Sequence, residues 1–515
     1  MGPDDSETVG FIDVGTNSIH LLVVRFYGGT AGTPVFQDKE TVRLGQSLYS
    51  EGAISQEVID KSAMVVSRFA GISKDMGADR IVAVATCAAR EASNSKELVK
   101  ALSKDVDVKV IPGTEEARLI GLGVFGTKGP QRRTVEIDIG GGSTEIVLAE
   151  NGNNLFIDSL CMGAVRYAYG LGIDNSKKIK DDDYEVMRRN VDAGSMYAAK
   201  KIREIGFEEA VGSSGTFIAL AEMCAARRGD GDSSYLTLSE LSSLMKIVRS
   251  KTLEERYSVP GLGKGRADII VAGGAIAEEL MVQFGIERMG ISTRGLKQGL
   301  QIDHLLSHGY TMFDTRDASV RALACRCNYD RYHAEAVCRN TLQIFDQAKR
   351  LGLHSMGGRM RNLLASAAIL HDIGEFINYT NHNELSQIII ENSDMVGFNM
   401  EELHYMGLMA RFHHKKFPGA KDRRLSDIPP DDALCIRQCS MFLKMGDVLD
   451  RHRNATVRNI RLTLKKGELV VGVECDGDPS MEFWRLEKLR GDFRKLFGLE
   501  MSAQVIDGVQ PSIRS

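Results

Sequence analysis

One stretch of this sequence carries most of the information about its architecture: Glu136-Ile137-Asp138-Ile139-Gly140-Gly141-Gly142-Ser143-Thr144-Glu145. Apolar residues alternate up to Asp138, three glycines follow, and a second apolar run, Ile146-Val147-Leu148, begins after Glu145. The pattern predicts a strand, a tight turn and a second strand. Without Cβ atoms the turn lets backbone N–H groups approach a phosphate, and the neighbouring carboxylates suit a divalent cation. The alternative is a plain hairpin, but three glycines cost backbone entropy that a plain hairpin does not require.

A second stretch repeats this pattern near the start of the chain. In Gly10-Phe11-Ile12-Asp13-Val14-Gly15-Thr16-Asn17-Ser18, apolar residues lead into Asp, x, Gly, x, x, Ser, as they do from Asp138 to Ser143. Similar successions of strands and helices follow both stretches. The repeat predicts an internal duplication, in which two related α/β halves face each other and contribute one phosphate-binding loop apiece.

Two features between these loops are candidates for the chemistry. Arg90 follows the buried strand predicted at 80–85, and ligands collect at the carboxyl ends of strands in open α/β sheets. It is therefore a candidate phosphate clamp, although a surface arginine in the first turn of a helix is an equally good interpretation. Glu115 and Glu116 lie in the first turn of the next predicted helix. Two carboxylates there complement the helix dipole, or, if the turn faces a cleft, one of them acts as a general base.

Two glycine-bearing stretches follow in the second half. Gly212-Ser213-Ser214-Gly215-Thr216 predicts a nest of backbone N–H groups at the start of a helix, which suits an anion. Ile269-Ile270-Val271-Ala272-Gly273-Gly274 has the pattern of a strand that runs into glycines. It could contact the adenosine of a nucleotide, and packing of a helix against a strand explains it equally well.

From about residue 317 to residue 453 strand signals vanish and helical runs dominate. Scattered through this region are His333, the pair His371-Asp372, His382, the pair His413-His414, and Asp447. Imidazoles and carboxylates from separate helices can meet at one divalent cation, although histidines on helices are more often packed or solvated. A basic segment around 412–424 is either a solvated face or a track for a long anion. A hairpin and one helix over 460–496 predict a small α+β tail.

Composition bounds the class of protein. The chain has 515 residues, enough for three or four domains, and 43% of them are hydrophobic, as in ordinary globular proteins. Its net charge of −4 argues against a general nucleic-acid binder. The nine cysteines include no C-x-x-C pair, which favours free thiols in a reducing compartment. With no apolar run of about 20 residues to span a membrane, we expect a cytoplasmic protein without a membrane partner.

Taken together, these motifs resemble the exopolyphosphatase/guanosine pentaphosphate phosphohydrolase (Ppx/GppA) family. The resemblance is specific over about the first 300 residues and looser as far as Arg453. It implies an α/β fold of the actin-like ATPase superfamily with duplicated ribonuclease-H-like halves, followed by an all-α HD-like domain and a small α+β tail. We expect these four parts at residues 1–125, 126–304, 305–455 and 456–515. The motifs that carry the resemblance are Phe11–Ser18, Ala85–Ala92, Gly113–Ile120, Asp138–Glu145 and Gly212–Thr216.

The resemblance also implies the site residues. Glu116 falls on the family's catalytic carboxylate, the base that activates water, and Asp138 and Glu145 fall on ligands of Mg²⁺ or Mn²⁺. A second candidate metal site, with no second activity implied, is formed by His333, His371, Asp372 and Asp447. The phosphate-binding residues are Asp13, Gly15, Asn17, Ser18, Arg90, Gly140, Gly141, Gly142, Ser143, Ser214 and Gly215. This chain departs from the family pattern at Cys87, Lys297, Gln298, Asn383 and Leu385 without losing a proposed catalytic group.

The implied activity is release of terminal orthophosphate from inorganic polyphosphate, and the alternative within the same chemistry is removal of the 5′ γ-phosphate of pppGpp. The basic helical region favours the long polymer because it can extend the cleft. From other classes come an actin-like ATPase or sugar kinase that binds ATP, and a non-catalytic sensor, against which the intact Glu116 argues. We expect a homodimer, since two-fold dimers are the commonest oligomers.

Overall fold

The structure is a computed structural model that describes residues 6–27, 32–127, 129–309, 312–393, 395, 397–453, 456–465 and 467–506. It divides into two compact units, Met1–Arg316 and Asp317–Ser515. No helix among the described residues has the length and apolar character needed to cross a bilayer.

The first unit begins with a five-stranded sheet in the order β3-β2-β1-β4-β5. Strands β1 to β3 are antiparallel neighbours, and β4 and β5 continue the sheet parallel to β1. Its strands are β1 (Ser6–Val14), β2 (Ser18–Tyr27), β3 (Thr33–Thr41), β4 (Arg80–Ala85) and β5 (Val108–Val110). Buried side chains of these strands and of the helices on the sheet form its core, among them Ile12, Leu21, Phe69 and Ala85.

A second sheet in the same unit repeats this topology. It contains β6 (Thr134–Ile139), β7 (Thr144–Glu150), β8 (Asn153–Leu160), β9 (Glu209–Ser213), β10 (Tyr235–Thr237) and β11 (Arg288–Ile291). Starting from β8 the order is β8-β7-β6-β9-β11, with β10 added antiparallel at the edge. Three antiparallel strands are again followed by two that run parallel to the central one. The predicted duplication of α/β halves is therefore confirmed.

Helices cover both sheets of this unit. They are α1 (Leu44–Glu51), α2 (Gln56–Asp75), α3 (Cys87–Glu91), α4 (Ser95–Leu102), α5 (Gly113–Phe125), α6 (Ala164–Gly170), α7 (Asp181–Ile205), α8 (Ser214–Arg228), α9 (Leu238–Arg249), α10 (Leu253–Arg256), α11 (Ile270–Phe284) and α12 (Leu296–Ser307). The strand predicted over 269–272 is wrong, because these residues begin α11. The apolar run is buried on every side, and a short run of that kind has the same periodicity in a buried helix as in a buried strand.

Helices α5 and α12 approach each other through glycines. A Cβ on Gly123 would overlap the backbone of Gly295, and a Cβ on Gly299 would overlap the carbonyl of Leu119. The two backbones are therefore in contact, an approach that any side chain at these glycines would prevent. Arg118 of α5 also pairs with Asp303 of α12 at 2.7 Å. This packing fixes α5, whose first turn carries the candidate base Glu116.

The second unit is helical and ends in a small sheet, as predicted. Its helices are α13 (Met312–Arg326), which begins at the end of the first unit, α14 (Arg331–Arg350), α15 (Gly358–Leu370), α16 (His382–Glu391), α17 (Met400–Phe412), α18 (Pro430–Val448) and α19 (Ser480–Phe497). The sheet, in the order β12-β13-β14, comprises β12 (Val457–Lys465), β13 (Glu468–Cys475) and β14 (Glu500–Val505). The sequence predicted the β12–β13 hairpin and missed β14, which pairs parallel with β13. Lys466, in the predicted turn, lies outside the described residues.

Candidate active site

A cleft of about 350 Å³ opens in the first unit, and its lining comes from both halves of the duplication. Each half contributes the turn between its first two strands and the residues that follow its fourth strand. Twelve residues that the sequence singled out line this cleft: Asp13, Gly15, Asn17, Ser18, Glu116, Asp138, Gly140, Gly141, Gly142, Ser143, Ser214 and Gly215. The cleft is the candidate active site.

The two glycine-bearing turns have the same hydrogen bond. The Gly15 N–H donates to the Ser18 carbonyl at 3.1 Å, and the Gly140 N–H donates to the Ser143 carbonyl at 3.0 Å. The turns also touch each other, because a Cβ on Gly141 would lie 3.0 Å from Thr16 Cβ, and a Cβ on Gly142 would lie 2.8 Å from Thr16 Oγ1. Glycine at these positions is what allows the loop of one half to close on the loop of the other.

The start of α8 is held against the end of β6. Ser214, the first residue of α8, has a φ of 69°, in the left-handed region that a serine adopts at a cost of about 1–3 kcal/mol. Its hydroxyl donates to the Ile139 carbonyl at 2.7 Å, and the Thr216 hydroxyl donates to the same carbonyl at 3.0 Å. These bonds hold the N-terminus of the helix, with its free N–H groups, at the cleft, where they suit an anion.

Of the two adjacent carboxylates on α5, only Glu116 lines the cleft. Glu115 pairs with Arg118 at 2.8 Å on the outer side of the helix. Glu116 is 8% exposed, and its Oε2 accepts a hydrogen bond from Arg90 Nη1 at 2.7 Å. Burial raises the pKa of Glu116, and the Arg90 guanidinium opposes that rise. A raised pKa makes this carboxylate a better proton acceptor near neutral pH.

Arg90, the predicted phosphate clamp, contacts the candidate base. Arg90 is not among the described residues that line the cleft. Its Nη1 donates to the Ile111 carbonyl at 2.9 Å as well as to Glu116. The residue therefore orients the candidate base, and a direct contact with phosphate remains a prediction.

Besides Glu116, four carboxyl groups gather at the cleft and behind it: the half-buried Asp13 and the buried Asp138, Glu136 and Glu145. Burial, reinforced by the charge of Glu116, raises the pKa of Asp13 to about 7, and burial raises that of Asp138 to about 6. Burial also raises the pKa of Glu136 and of Glu145 well above the ordinary value. Such groups repel one another unless protons or a cation neutralise them.

Ser213 lies between two of these groups. Its Oγ is 2.7 Å from Glu136 Oε1 and 2.6 Å from Asp138 Oδ2. A hydroxyl has one proton to donate, so one of the two carboxyls must itself carry a proton for both contacts to be hydrogen bonds. Glu136 is fully buried, whereas Asp138 lines the cleft, so the proton resides on Glu136 and Asp138 is left as the anion.

The residues fit a hard divalent cation. Asp13 Oδ1 is buried and has no hydrogen-bond partner among the described residues. It lines the same cleft as Asp138, and carboxylate oxygens are the donors that Mg²⁺ and Mn²⁺ prefer. Glu145, the other predicted ligand, pairs in register with Asp138 but is 1% exposed, and it is not among the described lining residues. Its Oε1 accepts a hydrogen bond from Ser159 at 2.8 Å.

Basic residues that the sequence did not single out as ligands also line the cleft. They are His20, Lys39, Arg266, Arg294 and Lys297. His20 and Lys39 are cross-strand partners on β2 and β3, a pairing that only the register reveals. Burial next to Lys297 and Lys39 lowers the pKa of His20 to about 3, so its imidazole is neutral. The guanidinium of Arg266 lies directly over the backbone of Gly215, where a Cβ would overlap it.

The second predicted metal site lies in the helical unit, where its four residues do come together. His333 Nε2 is 3.6 Å from Asp372 Oδ2 and 3.6 Å from Asp447 Oδ1. His371 Nε2 is 3.5 Å from Asp372 Oδ1 and 3.9 Å from Asp447 Oδ1. The sequence left His382 and His413 out of this set, and the structure brings both next to Asp372.

The fold and the site define a class of protein. Its members have two ribonuclease-H-like halves, and the first hairpins of the two halves meet at a cleft rich in glycines and carboxylates. The sequence matches the Ppx/GppA phosphatase family over residues 22–308 and domain III of Ppx/GppA phosphatases over residues 315–477. The chain belongs to the Ppx/GppA phosphatase family.

The names of the similar proteins refer to two different activities. The chain is 31% identical over 396 residues to a guanosine-5′-triphosphate,3′-diphosphate pyrophosphatase of Aeromonas hydrophila, an alignment that spans 75% of this chain and 77% of that protein. The structure of the present chain is similar to that of an exopolyphosphatase from Cytophaga hutchinsonii, with a TM-score of 0.54 and 27% identity. The match covers 58% of this chain and 98% of the other. An exopolyphosphatase-like protein gives a TM-score of 0.53 and 25% identity, with the same coverage.

Replacing Asp13, whose pKa is raised in the folded protein, is expected to stabilise the fold. Because its pKa rises from 3.8 to about 7 on folding, Asp13 favours the folded state while protonated, and that contribution is lost as pH rises through about 7. At pH 8 without divalent cations, Asp13→Asn should therefore increase the free energy of unfolding by about 2–4 kcal/mol. At pH 4 the two proteins should differ little. Urea unfolding at both pH values measures the difference, and an equal difference at the two would contradict the assigned pKa.

Proposed function

We propose that this phosphatase releases terminal orthophosphate from inorganic polyphosphate, by attack of water in the cleft of the first unit. The observation that carries the proposal is the composition of the cleft. The buried carboxylate Glu116 shares it with two glycine turns and a helix N-terminus that offer backbone N–H groups to a phosphoryl group. Lys39, Arg266 and Lys297 line the same cleft and can bind further phosphate groups of the polyphosphate.

In the proposed reaction, Glu116 accepts a proton from a water molecule whose oxygen attacks the terminal phosphorus. A bond forms between that oxygen and phosphorus, and the bond from phosphorus to the bridging oxygen breaks, so the shortened chain leaves with the bridging oxygen. Arg90 holds the Glu116 carboxylate in position through its 2.7 Å hydrogen bond. Phosphoryl transfer of this kind depends mainly on positioning and on stabilisation of charge.

Backbone N–H groups of the two turns and of α8 bind the phosphoryl oxygens in this mechanism. Asp13 and Asp138 would hold a Mg²⁺ or Mn²⁺ ion. Glu145, which is not among the described residues that line the cleft, remains a predicted ligand. When bound, such an ion neutralises negative charge on the phosphates.

A second substrate is supported by one specific observation. The Aeromonas hydrophila relative, 31% identical, is named for hydrolysis of guanosine-5′-triphosphate,3′-diphosphate, so pppGpp is the alternative. An ATPase or sugar kinase is less well supported. Its adenosine contact was predicted from a strand at 269–272, and these residues begin a helix in which Gly273 is buried against Thr216 and Gly274 against Met245.

Phosphate release from four substrates tests the proposal. Long-chain polyphosphate, tripolyphosphate, pppGpp and ATP are compared at equal concentration of terminal phosphate, each with Mg²⁺ and with Mn²⁺. We expect the highest kcat/KM for long-chain polyphosphate. A higher value for pppGpp would transfer the assignment to that substrate, and turnover of ATP alone would overturn both.

Lys297 is expected to contribute to binding of the polyphosphate substrate. Hydrogen bonds to charged groups contribute about 1.5–3 kcal/mol, so Lys297→Ala should raise KM for polyphosphate about tenfold to hundredfold. The kcat should change less than about threefold, because the contact is the same before and during the reaction. The control is Lys264→Ala, which removes an exposed lysine of the same unit that does not line the cleft. A fall in kcat at unchanged KM would show that Lys297 acts on the chemical step instead.

A further inference from the structure

The ends of five helices in the second unit bring together four imidazoles and two carboxylates. His333 lies in the first turn of α14, His371 and Asp372 follow α15, and His382 begins α16. His413 follows α17, and Asp447 lies in the last turn of α18. All four histidines are buried, with exposed fractions of 0–5%. None of these residues has a role in the mechanism proposed for the cleft.

Hydrogen bonds at Nδ1 fix the tautomer of all four imidazole rings. His371 Nδ1 lies 2.8 Å from the Ala368 carbonyl, His382 Nδ1 lies 2.8 Å from the Tyr379 carbonyl, and His413 Nδ1 contacts the Ala410 carbonyl. His333 Nδ1 lies 2.8 Å from Asp450 Oδ2. Carbonyl and carboxylate oxygens only accept hydrogen bonds, so each Nδ1 is the donor. In a neutral ring each Nε2 then has a lone pair, and this arrangement is typical of histidines that bind metals.

The four Nε2 atoms point inward at one another and at the carboxylates. His382 Nε2 and His413 Nε2 are 3.3 Å apart, and both lie 3.3 Å from Asp372 Oδ1. His371 Nε2 is fully buried and has no hydrogen-bond partner among the described residues. Acceptors that face one another without donors repel, and a cation removes that repulsion.

The separations match metal coordination. Two nitrogens bound at about 2.1 Å to one tetrahedral ion lie about 3.4 Å apart. The two oxygens of Asp372 also face different groups: Oδ1 lies 3.3 Å from His382 Nε2 and from His413 Nε2 and 3.5 Å from His371 Nε2, and Oδ2 lies 3.6 Å from His333 Nε2. Arg453 Nη2 donates to Asp372 Oδ2 at 3.0 Å and helps to hold this carboxylate in place. A carboxylate placed in this way can bridge two ions.

We propose that the helical unit binds two divalent transition-metal ions bridged by Asp372. His333, His371 and Asp447 hold the first ion, and His382 and His413 hold the second. Imidazole ligands favour Zn²⁺, Co²⁺, Ni²⁺ or Fe²⁺ over Mg²⁺, whereas the ligands predicted for the cleft of the first unit, Asp13, Asp138 and Glu145, offer only oxygen. A cavity of about 230 Å³ lined by His333, His371 and Asp372 reaches the first ion position, so a chelator has access to it.

Cobalt binding to the full chain tests this proposal. The protein is treated with EDTA, dialysed, and titrated with Co²⁺ in a large excess of Mg²⁺, which competes for the carboxylates of the cleft in the first unit. Bound cobalt is measured by elemental analysis after removal of free ion, and its visible absorption reports nitrogen ligands. We expect two equivalents per chain in the wild type and one in His413→Ala and in His371→Ala.

The matched control is His404→Ala, which removes a half-exposed histidine of the same unit that contacts Glu391 and is expected to retain two equivalents. Circular dichroism establishes that each variant is folded, and His413→Gln repeats the measurement with a smaller change in volume. Fewer than two equivalents in the wild type would overturn the two-ion site. Wild-type stoichiometry in the folded His413 variants would overturn the assignment of that ligand, and the cluster would then be a set of hydrogen-bonded imidazolium and carboxylate groups.

Discussion

Replacing Glu116 by Gln is expected to lower the rate of orthophosphate release by about 10³-fold while leaving the affinity for polyphosphate within about threefold of the wild type. A general base contributes about 10²–10⁴ in rate, and glutamine cannot accept the proton that the attacking water must lose. The N–H groups of both glycine turns and the cations of the cleft, which bind the substrate, are unchanged. Single-turnover phosphate release measures the chemical step, and equilibrium binding of polyphosphate measures the affinity.

The neighbouring carboxylate supplies the control for this experiment. Glu115→Gln makes the same chemical change one residue earlier on α5, at a side chain that pairs with Arg118. It should keep kcat within about threefold, because a half-exposed ion pair between neighbours on one helix contributes little. Turnover by Glu116→Gln at the wild-type rate would remove the assigned base, and an equal loss in both variants would point to damage to the helix.

The second large effect is expected at Gly142, where the two halves meet. A Cβ there would overlap Tyr49 Oη and lie 2.7 Å from Cys87 Sγ and 2.8 Å from Thr16 Oγ1, so Gly142→Ala must displace these side chains or the turn that faces them. A displacement of about 1 Å in a catalytic site can cost about 100-fold in rate, and we expect a loss of at least this size in kcat/KM. Steady-state kinetics on polyphosphate measures it.

Gly71→Ala is the matched control, because a Cβ at Gly71, within α2, meets no atom within 4 Å. This change should leave kcat/KM unaltered and raise stability by about 0.4–1 kcal/mol, as alanine lowers the entropy of the unfolded chain. If Gly142→Ala were as active as Gly71→Ala, the contact between the two turns would have no part in catalysis.

The sequence predicted those parts of the fold and site that depend on local pattern. The Asp-x-Gly turns after alternating apolar residues were visible twice, and they identified both the duplicated sheets and the residues that meet at the cleft. The helical start at Ser214 and the first turn of α5 were likewise predictable. The residues alone, however, did not show which of the two adjacent glutamates faces the cleft. Only the orientation of α5 in the structure places Glu116 at the cleft and Glu115 away from it.

The features that the sequence did not predict depend on tertiary structure. Lys39 reaches the cleft because β3 pairs with β2 in a particular register, and Arg266 does so because its guanidinium lies on Gly215. Arg90 contacts Glu116 because the chain after β4 approaches the first turn of α5. The run at 269–272 begins a helix, and its short apolar pattern does not distinguish a buried helix from a buried strand. The four domain boundaries, the homodimer and the cytoplasmic location remain predictions.

The most direct test of the central claim is the fate of solvent oxygen during turnover. Tripolyphosphate is hydrolysed in ¹⁸O-labelled water, and the products are separated and analysed by mass spectrometry. Attack of water on the terminal phosphorus places one labelled oxygen in the released orthophosphate and none in the pyrophosphate. Label in the pyrophosphate, or unlabelled orthophosphate, would contradict attack by water at a terminal phosphoryl group held in this cleft.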